Sequence, residues 1–204
     1  MPPEWGLAYM VLLPKEKDRS KPELFRNIAL TNTSGKIFFA YVAQNLESFM
    51  VVNKYIDTSV QKGFLKGIAG CLEHTFNLHE LLREAYENSR QIAVTWIDLA
   101  NAYGSVAHNM IQHALEWYHI PNCIRQIIFS HCEHLAAKVI TREWSTDFFI
   151  YDIGLFQGCV MSTILFDITF NLLLDYLKPL DKLNYAKNRF QYRPCGKPMP
   201  TTLP

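Results

Sequence analysis

The chain opens with short apolar runs separated by polar, Pro-bearing breaks. Leu7 to Leu13 is apolar and is closed by Pro14, a charged stretch runs from Lys15 to Pro22, and Phe25 to Leu30 is apolar again. That pattern predicts two strands joined by a basic loop. From Ser34 the apolar positions Ile37, Phe38, Tyr41, Val42, Leu46 and Phe49 recur at helical spacing. They predict a helix ending near Val51, with Ser34 as its N-cap. A small-residue loop from Gly63 to Gly70 leads to a second helical pattern carrying Cys71, Phe76, Leu78, Leu81, Leu82 and Ala85, whose Glu and Arg residues are expected to face water.

The middle of the chain changes character. Ile92 to Ile97 is long and apolar enough for a buried strand, and it ends on a carboxylate, Asp98. After a turn at Gly104-Ser105, one helix is predicted from about Ala107 to Tyr118, ending before Pro121, and a second over Ile124 to Leu135. Ala137 to Ile153 reads as two strands. The stretch Gly154 to Gly158 breaks the pattern, and Ser162 to Leu177 has helical apolar spacing interrupted by Asp167, Asn171 and Asp175. Beyond that lies a tail enriched in proline, predicted to be irregular.

Composition narrows the class. With 49% apolar and 19% charged residues over 204 positions, the chain has enough apolar surface for a sizeable core. Five cysteines, scattered and without a Cys-x-x-Cys pair, argue against a disulfide framework and a zinc ribbon, and fit a reducing compartment. No leader pattern and no spanning apolar run is present, so the expectation is an intracellular chain, in cytoplasm or nucleus, with no membrane partner. The net charge of +1 conceals an uneven distribution. Residues 1–72 carry nine Lys/Arg against six Asp/Glu, residues 73–175 five against twelve, and residues 176–204 six against one. An acidic centre between basic ends is compatible with a cation site flanked by phosphate-facing surfaces, and equally with solvated charge.

Two constellations carry candidate chemistry. Asp98 at a strand end, with Tyr103 five residues on, suits a carboxylate that positions divalent ions for phosphoryl transfer, although strand-end aspartates are also common as helix caps. In Gly154-Leu155-Phe156-Gln157-Gly158, glycines permit close backbone approach and the following helix start offers free amides to a polar ligand, although a plain structural turn has the same composition. His131-Cys132-Glu133-His134 is a weaker candidate for a metal site, and Ser105 near His108 a weaker one still for a hydrolase.

Taken in order, these motifs resemble the reverse transcriptases of non-LTR retrotransposons. The resemblance rests on Leu12-Leu13-Pro14-Lys15, Phe25-Arg26-Asn27-Ile28-Ala29-Leu30, Gly35-Lys36, Gln61-Lys62-Gly63-Phe64, Asp98 to Tyr103, and Gln157 to Ser162 with Leu165-Phe166 behind it. It implies an α/β (α+β) fold: fingers over residues 1–90, a partial palm over 91–178 with an antiparallel sheet backed by helices, and a tail over 179–204. It further implies RNA-directed DNA synthesis on an RNA template and DNA primer from deoxynucleoside triphosphates, with two Mg2+ ions. Under it Asp98 is the catalytic metal ligand, with the Leu99 backbone assisting. Tyr103 excludes a 2′-hydroxyl, Lys15 and Arg26 hold the triphosphate, Gln157 and Gly158 contact the nucleotide, and Gln61, Gly63 and Phe64 touch the template.

Departures from the family pattern are Asn27, Gly104 and Phe156, where relatives carry proline, aspartate and proline. Family palms continue into an aromatic-Ala-Asp-Asp hairpin, whereas this sequence holds no Asp-Asp pair, and Tyr185-Ala186-Lys187-Asn188 only mimics it. The expectation is therefore a fragment cut before that hairpin and inactive alone, with weak or absent Mg2+ binding. A non-catalytic nucleic-acid-binding remnant is the alternative.

Overall fold

Residues 1–15, 17 and 20–177 are described by the computed structural model. The mimic at Tyr185 to Asn188 and the tail therefore lie outside the described residues. Contacts divide the chain into two units, Met1–Phe170 and Asn171–Pro204. In the second, residues 171–177 are helical, and Asn171 Nδ2 donates to Asp175 Oδ2 at 3.4 Å.

The two N-terminal apolar runs form the expected antiparallel pair, β1 (Leu7–Pro14) and β2 (Phe25–Thr31), in register from Ala8 opposite Thr31 to Pro14 opposite Phe25. Alternation decides the faces, with Ala8 and Met10 buried while Leu7 and Tyr9 point outward. β3 (Ala136–Val139) runs parallel to β1, and β4 (Phe149–Ile150) runs antiparallel to β3, giving the order β2-β1-β3-β4. The α/β class stands. The sheet, however, is mixed and not antiparallel throughout, because β1 reaches β3 only after the intervening helices, a crossover that brings the strands in side by side and parallel.

Five helices accompany the sheet among the described residues: α1 (Thr33–Val52), α2 (Leu72–Glu87), α3 (His108–Trp117), α4 (Asn122–Glu133) and α5 (Ser162–Leu177). The N-cap of α1 is Asn32, not Ser34. Its side-chain oxygen accepts from Ser34 N at 2.9 Å and Gly35 N at 3.2 Å, so Ser34 already lies inside the first turn. The buried stripe of α1 is Gly35, Phe39, Val42, Leu46 and Met50, which leaves Ile37 and Tyr41 outside. The core joins that stripe to Ile111 and Leu115 of α3, Ile128 and His131 of α4, and Met161, Leu165 and Ile168 of α5. Phe39 packs against His131 at a ring separation of 4.2 Å.

One expectation fails outright. Residues 91–98 do not form a buried strand: the segment is irregular, with Trp96 79% and Ile97 84% exposed. An apolar run becomes a central strand only when neighbours pair its backbone and cover both faces, and no described strand does either. The same shortfall shows at α2, where Leu72, Phe76 and Leu82 are exposed and Ala85 alone is buried. No helix of the described residues is long and apolar enough to cross a membrane.

Candidate functional site

The segment from Gly154 to Gly158 is held by backbone bonds to two other parts of the chain. Gly154 N donates to Val106 O and Leu155 N to Tyr103 O, both at 2.8 Å, while His108 Nε2 donates to the Gly154 carbonyl at 2.9 Å. On its other side, Ala29 N of β2 donates to the Gln157 carbonyl at 2.6 Å. Glycine is required at both ends of this stitch. Gly158 sits at φ +108°, where a Cβ would stand 2.7 Å from Ala29 O, and Gly154 at φ +94°, where one would stand 2.8 Å from Gly104 Cα. The turn after Tyr103, the Gln157 turn and strand β2 are thereby fixed against one another.

Two cavities open over this stitch. One, of about 350 Å3, is lined by Lys15, Phe25, Arg26, Asn27, Asp98, Leu99, Asn101, Gly104, Tyr151 and Gln157 among others. The second, of about 310 Å3, is lined by Arg26, Ile28, Tyr103, Phe156, Gln157, Gly158, Cys159 and Thr163. Arg26 and Gln157 belong to both. Lys15, Arg26, Asp98, Leu99, Tyr103, Gln157 and Gly158, all singled out from the sequence, thus come together from segments more than a hundred residues apart. Asp98 and Arg26 are exposed, and Gln157 is half-buried. Lys15 Nζ donates to Glu23 O at 2.9 Å, across the loop between β1 and β2.

Tyr103 is backed by aromatics. Its ring stacks on Phe166 at 5.2 Å, and Phe166 on Phe170 at 5.8 Å. Burial, and then the charge of Asp167, push its phenol above the ordinary value. Gly104 leaves room for the neighbouring turn: a Cβ there would fall 2.3 Å from the Asn101 side-chain nitrogen. Asn101 itself has φ +50°, a left-handed conformation that asparagine tolerates better than most residues.

The three residues expected on the template side lie elsewhere and line neither cavity. Gln61 Nε2 donates to Asp167 Oδ1 at 2.9 Å, Gly63 is half-buried, and Phe64 stands 71% exposed at φ +56°. Asp167, a residue the sequence marks only as an interruption of an apolar helix, is 2% exposed, and its Oδ2 has no hydrogen-bond partner. Burial foremost, with Glu47 adding to it and Gln61 opposing, pushes its pKa up to about 7.

The weaker candidates disperse. His131 and Cys132 are buried while Glu133 and His134 are exposed, and His134 Nδ1 donates to Ser130 O. Ser105 Oγ donates to Asn101 O at 3.0 Å, whereas His108 serves Gly154. No three His, Cys, Asp or Glu side chains among the described residues stand together as a metal-holding group.

The family model for reverse transcriptase (RNA-dependent DNA polymerase) matches residues 13–186. A Drosophila melanogaster relative, the retrovirus-related Pol polyprotein from type-2 retrotransposable element R2DM, is 25% identical over 174 residues. The match covers 85% of this chain and 16% of that polyprotein. The chain belongs to the reverse transcriptase (RNA-dependent DNA polymerase) family.

Proposed function

We propose that this chain holds the incoming nucleotide of a retrotransposon reverse transcriptase without performing strand synthesis alone. The observation that carries the reading is the convergence of Lys15, Arg26, Asp98, Leu99, Tyr103, Gln157 and Gly158 on two cavities that share Arg26 and Gln157. Residues 1–90 act as fingers and 91–178 as a partial palm. The Arg26 fork suits phosphate oxygens bidentately, and Lys15 adds a point charge at the same rim. Gln157 offers an amide to the sugar or base, and the bare Gly158 backbone lets the ligand approach closely. The Tyr103 ring, held by Phe166, crowds the place of a 2′-oxygen and so favours deoxynucleotides.

Asp98 is the one carboxylate among the described residues that lines these cavities. Mg2+ at such sites is held by one or two carboxylates together with substrate oxygens and water, so Asp98 alone is the minimum donor set and weak binding of the ion is expected. Bound divalent ions supply charge stabilisation and activation of the attacking hydroxyl in complete enzymes of this kind. Gln61, Gly63 and Phe64 are assigned to the template, with the exposed Phe64 ring as a stacking surface. The RNA template, DNA primer and deoxynucleoside triphosphates are thus the partners this reading assigns. The four free thiols of the described residues suit a reducing, intracellular setting.

Two measurements test the proposal. Titration of the full chain with a fluorescent deoxynucleoside triphosphate is expected to show salt-sensitive binding that weakens about tenfold in Arg26→Ala, as loss of a charge-assisted contact requires. Primer extension on primed RNA with Mg2+ is expected to yield no product. Binding indifferent to Arg26, or extension by the purified chain, would overturn it.

A further inference from the structure

Residues 53–70 contain no helix or strand, yet the segment around Gln61 is seated at several points. Ile56, Lys62 and Leu65 are buried, and Lys62 Nζ pairs with Glu73 Oε2 at 2.5 Å. Lys66 N donates to Glu47 Oε1 of α1 at 2.6 Å, and Gln61 Nε2 donates to Asp167 Oδ1 of α5 at 2.9 Å. These anchors surround Phe64, which is held in a left-handed conformation with its ring in solvent. A strained, exposed aromatic persists only where its surroundings over-determine it.

Among these anchors Asp167 has an unusual balance. It is 2% exposed, one oxygen accepts from Gln61, and the other is buried with no partner. A buried, unpaired carboxylate oxygen is costly when ionised and far less so when it carries a proton. Among the described residues no cation offsets the charge in the interactions that set its acidity: Glu47 of α1 adds like charge, Tyr103 is a neutral phenol at ordinary pH, and Gln61 is neutral. Lys62, next to Gln61, is already paired with Glu73.

We infer that Asp167 is the positioning residue that seats the Gln61–Phe64 segment on α5, and that it does so as the neutral acid. Ionisation places a desolvated negative charge beside Glu47 and favours states in which the segment lifts and Asp167 reaches water. Proton uptake by the seated form means that seating is strongest in acid and weakens as pH rises from the ordinary aspartate value towards the raised one. The consequence for template contact rests on the reading of Gln61, Gly63 and Phe64 given above.

The test is hydrogen–deuterium exchange of the full chain at pH 5.5 and 7.5, corrected for intrinsic exchange, following the amides of Val60, Gln61 and Lys66. Those amides donate to Asp57 O, Asp57 O and Glu47 Oε1. With the carboxyl moving between 3.8 when released and about 7 when seated, protection is expected to fall about twentyfold across this interval. In Asp167→Asn, which keeps an acceptor for Gln61 and has no proton to lose, it is expected to stay level. Gln61→Ala is expected to lower protection at both pH values. Equal pH slopes in wild type and Asp167→Asn, or a flat wild-type profile, would overturn the inference. The template reading fails separately: if Phe64→Ala binds primed RNA as tightly as wild type, that reading is lost while the exchange result still decides the role of Asp167.

Discussion

Replacing Gly158 by alanine tests whether the Gln157 turn is seated on β2. Its φ of +108° is hostile to any L side chain, and the new methyl would lie 2.7 Å from Ala29 O, a strand backbone atom with little room to move. Backbone strain at such a position costs about 1–3 kcal/mol. Overpacking against a fixed neighbour costs a similar ~1–3 kcal/mol. The variant should therefore lose about 2–5 kcal/mol, a large share of the ~5–15 kcal/mol that stabilises a typical domain. Two other glycines calibrate the result. Gly67 has φ +76° with nothing within 4 Å, so Gly67→Ala should incur strain alone, about 1–2 kcal/mol. Gly63 has no positive φ, and its nearest neighbour would be the Gln61 side-chain oxygen at 3.9 Å, so Gly63→Ala should change stability by less than about 1 kcal/mol. Urea unfolding followed by circular dichroism gives the three midpoints at a common slope. A Gly158→Ala midpoint equal to that of Gly63→Ala would refute the close approach of this turn to the strand.

Further outcomes follow from other sites. Asp167→Asn should remove one contribution to the pH dependence of global stability: with the folded-state carboxyl at about 7 instead of 3.8, wild type should lose about 2–3 kcal/mol relative to Asp167→Asn between pH 5 and 7.5, the opposing gain from buried His131 being common to both, and parallel urea midpoints for the two proteins would contradict this. Asn32→Ala removes the cap that accepts from Ser34 and Gly35 and should cost about 1 kcal/mol in the same assay, whereas Ser34→Ala should cost less. Thiol labelling at pH 8 with peptide mapping should modify Cys71 and Cys123 about a hundredfold faster than Cys132 and Cys159. Burial pushes the Cys132 thiol up to about 12 and the Cys159 thiol up as well, and prompt labelling of either would show that the core around α4 opens readily.

The elements that the sequence specified well are those whose partners lie close by or whose stop signals are strong. β1 and β2 pair with each other across one loop, and α3 ends before Pro121 as proline requires. The run from Ile92 to Ile97 misled because hydrophobicity records that a segment is fit for burial, while burial itself depends on what lies beside it. The mixed sheet was illegible for a related reason: strand direction follows from the path of the chain through α1 to α4, and no local pattern encodes that path. The convergence of Arg26, Asp98, Tyr103 and Gln157 was legible only through the order of motifs, since spacings of tens of residues carry no distance information. Asp167 was visible as a charge in an apolar helix. Its bond to Gln61, 106 residues away, and its unpartnered second oxygen needed coordinates.

Photo-crosslinking tests the nucleotide site most directly. An azido-substituted deoxynucleoside triphosphate, irradiated with the full chain and mapped by peptide mass spectrometry, should label residues 98–104 or 155–163, with labelling suppressed by excess deoxynucleotide and reduced in Arg26→Ala. Labelling confined to the apolar groove of Trp5, Phe38 and Ile127, or labelling indifferent to competitor, would contradict the site.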